Sequence, residues 1–434
     1  MTPTLIAVVC LGLMLYLLLT GMNIGLLFLA VGFIGFAWMN GFNSAIGLLR
    51  SSVYTTASNY NYSVVPLFIL MGQFAYHSGI TASLYDTAGK WLGRRPGGLA
   101  SATVVACAAF GAVCGSIAAT TATMGQVAVP EMRRHGYDAK LATGCVSAGG
   151  TIGILIPPST PFVVYGICTQ LSIGALFAAG IVPGLLMALA FIITIVIMVK
   201  RRPELAPRGE KYTVSQKLRS LKGIIGIVVL FGAVFVGMFA GFFTVNEAAA
   251  IGTFMSFLLM LINGRFTFRR FLQALKESLL SYSMVYVILI GAQVMTAFLS
   301  ASKLPATLAA FVASAHIPKL VLLTIIIVIY LIMGCFIDSI SMILLTVPIF
   351  FPIITAVGVD PIWFGVLCII VGQIGAITPP VGMCVYIISG IAKDVPMQDI
   401  FRGIVPFMIA MLVCIAAIIA FPSLCTFLPE LLYG

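Results

Sequence analysis

Long apolar runs alternate with short polar connections along the whole chain. Several runs reach about 18 residues or more, the length that an α-helix needs to cross a bilayer. In the first half, the predicted helices and shorter apolar segments lie at 4–20, 24–40, 64–79, 80–96, 98–113, 117–130, 138–170 and 174–199. In the second half they lie at 223–240, 245–263, 278–299, 300–318, 320–334, 339–352, 361–392 and 403–421. The pattern predicts an all-α polytopic membrane protein.

Composition favours the same fold class, because 61% of the 434 residues are hydrophobic, only 8% are charged, and the mean hydropathy is +1.16. A soluble protein of this size needs far more charge to cover its surface. The net charge of +11 does not indicate nucleic-acid binding, since the basic residues lie in short connections between apolar runs. That distribution is typical of the positive-inside rule, so we expect no nucleic-acid partner.

Glycine, proline and aspartate recur at a fixed spacing in the two halves. Seven such positions have the same residue type 222 positions later. The first set is Pro130, Gly136, Asp138, Gly150, Gly153, Pro157 and Pro158, and the second is Pro352, Gly358, Asp360, Gly372, Gly375, Pro379 and Pro380. Because glycine and proline control the backbone path, this agreement predicts two copies of one structure.

The distribution of positive charge predicts that these copies are inverted. We interpret the short segments 98–130 and 320–352 as re-entrant hairpins and place the basic connection 200–222 in the cytoplasm. This topology puts 20 of the 23 Lys and Arg residues on the cytoplasmic side and leaves out Arg50, Lys303 and Lys319. Parallel repeats, or segments that span fully, would move Arg133, Arg134 and Lys140 to the wrong side. Inverted repeats with discontinuous helices are typical of secondary transporters.

Glycine and adjacent prolines interrupt two apolar spans, at GGTIGILIPPSTPF (149–162) and GQIGAITPPVG (372–382). Lipid has no water to satisfy a broken backbone, so such a break persists only where protein buries it or a ligand binds it. The freed carbonyl groups can coordinate a small cation such as Na⁺, and the half-helix N-termini can attract an anion. A proline kink that serves only packing is the alternative interpretation.

The turns of the predicted hairpins supply further oxygen ligands. Ser116 follows Gly115 in the first turn, and Asp338 stands 222 positions after Ser116, with Ser339 beside it. An acidic residue at membrane depth indicates function, although Asp338 can also cap the helix that follows. Glu247, near the end of its own predicted helix, can likewise serve either function or helix capping. Because no Lys or Arg lies in this region, we expect helix ends, hydroxyls and co-bound cations to neutralise an anionic substrate, as in cation-coupled symport.

Five segments carry a resemblance to a known family: GAVCGSIAATTATMGQVAVPEMRRHGYD, GILIPPSTPFVVYG, GCFIDSISMILLTVPIFFPIITAVGVDPIWFGV, GAITPPVG and GFFTVNEAAA. They resemble the large membrane subunit of tripartite ATP-independent periplasmic (TRAP) transporters, over essentially the whole chain. The family's usual Ser-Gly-Ser turn is replaced here by CGS. The resemblance implies sodium-driven uptake of an organic acid, a C4-dicarboxylate or sialic acid, across the bacterial inner membrane. It also implies two partners, a small four-helix membrane subunit and a periplasmic substrate-binding protein.

The resemblance further implies an elevator, in which a transport domain moves against a scaffold. The implied ranges are 1–97 and 223–319 for the scaffold and its arms, 98–199 and 320–434 for the transport domain, and 200–222 for the cytoplasmic loop. One implied Na⁺ site uses Ser116, Gly150, Gly153 and Ile156, and the second uses Gly334, Gly375 and Thr378. The implied substrate site is formed by Ser116, Ser159, Asp338 and Ser339. The binding protein is expected to dock on the polar segment 40–63, which includes Arg50.

Other functions have distinct signatures. A Na⁺/anion symporter of the same architecture could work without a binding protein, and uptake assays with and without that protein separate the two cases. A passive channel predicts transport that is indifferent to a Na⁺ gradient. An intramembrane enzyme requires clustered His, Asp or Glu within the spans, such as HExxH, and the sequence has no such cluster. We therefore expect a transporter with no enzymatic activity and no organic cofactor.

Overall fold

The computed structural model of the protein describes residues 2–18, 20–207, 209, 211–315 and 317–433. Helices make up 82% of the structure, and no strand occurs among these residues. The first half contains α1 (Pro3–Leu18), α2 (Ile24–Asn40), α3 (Phe42–Ser58), α4 (Val64–His77), α5 (Ile80–Leu92), α6 (Gly98–Cys114), α7 (Ile117–Arg134), α8 (Ala139–Ile152), α9 (Thr160–Thr169) and α10 (Ile173–Arg201). A short helix, α11 (Val214–Leu221), lies in the connection between the halves. The second half contains α12 (Ile225–Phe239), α13 (Val245–Ile262), α14 (Phe268–Ser302), α15 (Leu304–Ser314), α16 (Lys319–Gly334), α17 (Ser339–Ala356), α18 (Pro361–Gly375), α19 (Met383–Ile391), α20 (Met397–Ala420) and α21 (Ser423–Tyr433).

Several helices have the dimensions of membrane spans. Within the described part of the chain, five helices are long and apolar enough to cross a bilayer, namely α10, α13, α14, α17 and α20. The number rises to seven if each of two bent pairs is one span. These pairs are Tyr60–His77 with α5, bent by 67°, and α11 with α12, bent by 49°. The prediction of an all-helical, multi-pass membrane protein is confirmed.

Most helices begin and end close to their predicted positions, but α14 begins at Phe268 and not near 278. Its first turns carry Arg269, Arg270 and Lys276, which lower the hydropathy there. The Thr267 hydroxyl accepts a hydrogen bond from the Arg270 amide at 3.2 Å and caps this early start. The apolar run therefore marks only the part of α14 that lies at membrane depth.

Helices α3, α11 and α21 are absent from the sequence prediction. Helix α3 is rich in Ser, Thr and Asn, which favour caps and turns over helix interiors. It nevertheless buries Ala45, Ser52 and Thr56, whose spacing puts them on one helix face. Packing of that face against α2 and α14 thus outweighs the weak local propensity.

Helices from the two halves pack directly against one another, with α2 along α14, α4 along α13 and α8 along α20. Glycine allows the closest crossings. A Cβ atom at Gly32 on α2 would lie 2.9 Å from the Met295 nitrogen on α14. A Cβ atom at Gly144 on α8 would lie 2.5 Å from the Gly403 carbonyl carbon on α20. Neither crossing has room for a side chain.

Ion pairs join α7 and α8 to the start of α20. Arg133, in the last turn of α7, pairs with Asp394, and its hydrogen bond lowers the pKa of that carboxyl group. The Lys140 Nζ atom lies 3.1 Å from Asp399 Oδ1, and Arg402 contacts the same oxygen at 3.5 Å. These groups are partly exposed, so each pair contributes little to stability by itself. The Arg133 and Lys140 pairs bring the end of α7 and the start of α8 next to the segment that begins α20.

Candidate functional site

Two helix interruptions lie at the Gly-Pro motifs, between α8 and α9 and between α18 and α19. In the first break, the regular helical pattern ends because the amides of Gly153 and Ile154 both donate to the Thr151 carbonyl. In the second break, the Cys384 amide donates to the Ala376 carbonyl at 3.1 Å, across the gap. The prolines of each motif have no amide hydrogen to donate. Each break therefore leaves backbone oxygens without the partners that a continuous helix would supply.

The surroundings of the two breaks differ. Pro157 and Pro158 are buried, whereas Pro379 and Pro380 are exposed. Ser159, which follows the first proline pair, is fully buried, and its hydroxyl has no hydrogen-bond partner. A buried hydroxyl without a hydrogen-bond partner has a free-energy cost unless a ligand or a water molecule contacts it.

The turn between α6 and α7 is packed against the first break. Gly115 adopts a φ of +58°, a left-handed conformation that favours glycine. A Cβ atom there would also lie 2.9 Å from the Pro158 carbonyl oxygen. Ser116 begins α7 as its N-cap, and its hydroxyl oxygen accepts a hydrogen bond from the Ala119 amide at 3.4 Å. The first turn and the first break thus form one compact unit.

The turn between α16 and α17 is organised by Asp338. Its Oδ2 atom accepts hydrogen bonds from the amides of Ile340 at 3.0 Å and Ser341 at 3.2 Å, and its Oδ1 atom accepts one from the Ser341 hydroxyl. Asp338 is thus the N-cap of α17, one of the two roles predicted for it. The neighbouring Ser339 is buried, and its hydroxyl has no partner. Glu247 likewise caps its helix, in a capping box at the start of α13.

Both turns line one cavity of about 330 Å³. Residues at the N-terminal ends of α7, α9, α17 and α19 contribute to its wall, among them Ser116, Thr160, Asp338, Ser339 and Met383. Helices α4 and α14 complete the lining with residues that include Gln73 and Ser281. The cavity therefore lies between the scaffold helices predicted for each half and the segments that carry the turns and breaks.

Helix ends dominate the electrostatics of this cavity. Asp338 is the single charged side chain among the described residues that line it, and neither Lys nor Arg is among them. A helix N-terminus carries unpaired amides and a partial positive charge, worth about 0.3–1 kcal/mol to a nearby anion. Of the four ends, α9 and α19 have no side-chain cap at all. The amides of Thr160 on α9 and Met383 on α19 have no acceptor among the described residues, and both residues line the cavity, so these two amides are available to an anionic ligand, as are the hydroxyls of the lining.

A cluster of oxygens surrounds the first predicted sodium-site residues. Gly153 packs against Gly111 of α6, where an added Cβ atom would lie 2.6 Å from the Gly111 Cα atom. Gly150 packs against Thr121, whose Oγ1 atom would be 2.0 Å from a Cβ atom. The neighbouring Thr120 is fully buried, its Oγ1 atom has no hydrogen-bond partner, and it would lie 3.1 Å from a Cβ atom on Gly153. Backbone and hydroxyl oxygens are the ligands that a hard cation prefers.

The second predicted set shows a comparable close crossing. A Cβ atom at Gly375 on α18 would lie 2.2 Å from the Gly334 carbonyl carbon at the end of α16. Thr378 donates its hydroxyl hydrogen to the Ile374 carbonyl at 2.6 Å, which leaves lone pairs on Oγ1 for a cation. The unpartnered Ser339 hydroxyl lies nearby, 3.4 Å from the position of a Cβ atom on Gly372. This crossing therefore also offers oxygen ligands.

The predicted site residues are thus brought together only in part. Ser116, Asp338 and Ser339 line the cavity. Ser159 is buried and does not line it, whereas its neighbour Thr160 does. Ile156 lies in the first break and contacts Gly184 of α10. Arg50 is exposed on α3, away from the residues that line the cavity.

Sequence reasoning missed four polar residues of this region: Gln73, Thr120, Thr160 and Ser281. Gln73 and Ser281 belong to continuous helices without a break or turn to mark them. Thr120 and Thr160 lie within a few positions of residues that were identified, at the start of α7 and α9. Hydroxyls in the first turn of a helix that follows a Gly or Pro motif are the signal that could have found these two.

Comparison with known proteins covers nearly the whole chain. Residues 11–424 match the family described as "Tripartite ATP-independent periplasmic transporter, DctM component". The sialic acid TRAP transporter large permease protein SiaM of Vibrio cholerae serotype O1 is 32% identical over 426 residues, which are 96% of this chain and 97% of that protein. The C4-dicarboxylate TRAP transporter large permease protein DctM of Pseudomonas aeruginosa is 32% identical over 385 residues, with 88% and 89% covered.

A solved structure shares the fold at low sequence identity. The YdaH transporter of Alcanivorax borkumensis aligns with a TM-score of 0.66 and 15% identity, over 97% of this chain and 99% of that one. At this level of identity the likeness concerns the fold alone.

Proposed function

Since the chain belongs to the DctM component family of tripartite ATP-independent periplasmic transporters, we propose that it takes up an organic acid by sodium symport. The relatives are named as permeases for sialic acid and for C4-dicarboxylates, and these acids are the proposed substrate class. They are transporter subunits and not enzymes. The proposed location is the bacterial inner membrane, in agreement with the several apolar helices.

The observation that carries this proposal is the cavity at the N-terminal ends of four helices. Thr160 at the start of α9 and Met383 at the start of α19 each have an unbonded amide, and no basic side chain stands among the described lining residues. A carboxylate bound there receives hydrogen bonds from amides and hydroxyls instead of a fixed cationic partner. Such a site binds an anion without the ion pair that would slow its release.

Sodium supplies the remaining positive charge in this proposal. The first Na⁺ binds near Gly150, Gly153 and Ser116, and the buried Thr120 Oγ1 atom, which has no hydrogen-bond partner, adds an oxygen ligand. The second binds near Gly334, Gly375 and Thr378. Occupied sodium sites neutralise charge close to the acid, which couples the binding of the two.

The movement proposed for the cycle is an elevator built from two inverted repeats. Segments 98–199 and 320–434 form the transport domain, and 1–97 and 223–319 form the scaffold. The position of the cavity supports this division, because α4 and α14 line one part of it and the turns and breaks line the rest. Sliding of the transport domain past the scaffold exposes the same cavity residues to the opposite side of the membrane.

Two partners complete the proposed transporter. A small membrane subunit of four helices extends the scaffold, and a periplasmic binding protein delivers the acid to the surface around 40–63. Exposed Arg50 on α3 offers a positive charge on that surface. The alternative is a Na⁺/anion symporter of the same fold that takes its substrate directly from the periplasm.

Uptake into proteoliposomes tests the proposal. Sialic acid and a C4-dicarboxylate are supplied with and without a candidate periplasmic binding protein, under an inward Na⁺ gradient or none. A membrane potential of about 100 mV, negative inside, adds about 2.3 kcal/mol per net positive charge moved, which is roughly fiftyfold in accumulation. Uptake that ignores the Na⁺ gradient contradicts symport, and equal uptake without the binding protein favours the alternative.

A pair of serine variants tests the cavity itself. Ser281→Ala removes a hydroxyl from the lining, whereas Ser283→Ala removes an exposed hydroxyl from the same helix outside the lining. Loss of one hydrogen bond of about 1 kcal/mol predicts a roughly fivefold higher KM for the acid in the first variant. Equal KM values for both variants exclude contact between the acid and Ser281.

A further inference from the structure

A polar cavity of about 330 Å³ lies between the amphipathic helix α5 and the short helix α11, and it shares no described lining residue with the cavity at the four helix N-termini. Lys90 and Arg219 line it, together with Asp86, so the described charges of its wall sum to one positive charge. The Lys90 Nζ atom lies 2.6 Å from Asp86 Oδ2, and the exposed Arg219 belongs to no ion pair among the described residues. A single negative charge therefore balances the described residues of this wall.

An apolar groove of about 640 Å³ adjoins the polar cavity. Its lining comes from α5, α6 and α12 and includes Ala109, Val228 and Phe231. Thr87 lines both spaces, so they meet at that residue. The last turn of α11 also lines both, because Ser220 lines the polar cavity and Leu221 lines the groove.

Hydrogen bonds hold this junction in place. The Thr87 hydroxyl donates to the Ser220 carbonyl at 3.0 Å, and the Trp91 indole nitrogen donates to the Lys217 carbonyl at 3.2 Å. Trp91 lines the groove and is 45% exposed. Tryptophan with a bonded indole nitrogen and an exposed ring is typical of the depth at which lipid headgroups meet acyl chains.

We propose that one phospholipid with an anionic headgroup, such as phosphatidylglycerol, binds across both spaces. Arg219 and Lys90 bind its phosphate, and an acyl chain occupies the groove between α5, α6 and α12. The net charge of the polar cavity matches a headgroup with one negative charge, and the groove requires an apolar chain joined to that headgroup. A soluble phosphate fills only half of this site. The lipid connects α5 and α6 to α12 at the surface where the basic connection 200–222 ends.

Two adjacent valines on α12 provide a matched test of the groove. Val228 is 60% exposed and lines the groove, whereas Val229 is 53% exposed and does not. The full-length protein is reconstituted in nanodiscs of mixed phosphatidylglycerol and phosphatidylcholine, and lipid retained after detergent release is counted by native mass spectrometry. Val228→Trp should reduce retained phosphatidylglycerol by about tenfold, and Val229→Trp should leave it unchanged, because only the first fills the space of the acyl chain.

A second pair tests the headgroup contact. Arg219→Gln removes a charge from the cavity, and Lys222→Gln removes an equal charge just beyond α11, outside both linings. Loss of a charge-assisted contact to phosphate predicts about tenfold less retained phosphatidylglycerol for Arg219→Gln alone. The proposal is overturned if the two valine variants retain equal phosphatidylglycerol and the Arg219 and Lys222 variants do so too. It is also overturned if the protein retains phosphatidylglycerol and phosphatidylcholine equally. Thiol labelling of a Val228→Cys variant adds a further test. If a bound protein subunit, and not lipid, protects this cysteine from labelling, the proposal is also overturned. Wild-type uptake by the Val229→Trp and Lys222→Gln proteins shows that they are folded.

Discussion

Alanine at Gly153 tests whether the crossing of α6 and α8 forms a sodium site. The new Cβ atom would lie 2.6 Å from the Gly111 Cα atom and 3.1 Å from Thr120 Oγ1. The backbone at Gly153 has a φ of −61°, which suits any residue, so the substitution acts through space alone. Ordinary van der Waals contact begins at 3.4 Å. Helix α6 must therefore retreat by about 0.8 Å, the difference between 3.4 and 2.6 Å.

The size of the effect follows from that displacement. Inserting a methyl group into a well-packed crossing costs about 1–3 kcal/mol. If this cost falls on the sodium-bound form, Na⁺ binding weakens by about 5-fold to 150-fold, since each 1.4 kcal/mol is a factor of ten. The displacement also moves Thr120 relative to the backbone of α8, which separates the proposed ligands from each other.

Gly390→Ala is the matched control, because a Cβ atom at this glycine of α19 meets nothing within 4 Å. Alanine there favours the helix by about 1 kcal/mol, the opposite sign. Uptake is measured against Na⁺ concentration in proteoliposomes, beside the Tm of each variant. We expect the half-saturating Na⁺ concentration of Gly153→Ala to rise at least about fivefold and that of Gly390→Ala to stay constant. A lower Tm with an unchanged Na⁺ curve would mean that Gly153 serves packing only. An unchanged Tm and Na⁺ curve would refute the tight crossing itself.

Three further variants test other parts of the structure. Ser116→Ala should weaken the Na⁺ dependence of uptake more than it lowers expression, because it removes a proposed ligand, and an unchanged sodium curve would remove Ser116 from the site. Arg50→Glu should impair uptake only when the binding protein delivers the acid, and equal loss without that protein would contradict docking. Arg133 lowers the pKa of Asp394, so their pair stabilises the fold fully above the ordinary carboxyl pKa and loses this effect as pH falls through the lowered value. The difference in Tm between wild type and Asp394→Asn should therefore shrink below about pH 4, and a pH-independent difference would contradict the ion pair.

Glycine, proline and aspartate made much of the architecture predictable. Gly153 and Pro157 mark the end of α8, Gly115 marks the turn after α6, and Asp338 marks the start of α17. Each acts on the backbone within a few residues of its own position, through left-handed φ values, missing amides or capping bonds. The sequence therefore locates the breaks and turns without any knowledge of the surrounding helices.

Residues whose role depends on distant contacts were not predictable. Gln73 and Ser281 reach the cavity because α4 and α14 happen to face the turns, and nothing in their own segments indicates this. Helix α3 forms because neighbouring helices cover its small buried face, although its composition disfavours a helix. The unpartnered Thr120 hydroxyl likewise becomes apparent only when α6, α7 and α8 are assembled. Tertiary packing determines these features, and a single sequence contains no direct record of it.

The two breaks have the same sequence motif but differ in how deeply their prolines are buried. Their matched glycines and prolines end the helices at equivalent positions, yet Pro158 is buried and Pro380 is exposed. The difference arises because the turn at Gly115 covers the first break. A Cβ atom on Gly115 would lie 2.9 Å from the Pro158 carbonyl oxygen. Which break is covered is therefore a property of how the elements are arranged. In the alternating movement that we propose for this chain, we expect the opposite state to cover Pro380 and to expose Pro158, so that equal motifs have unequal surroundings in each state.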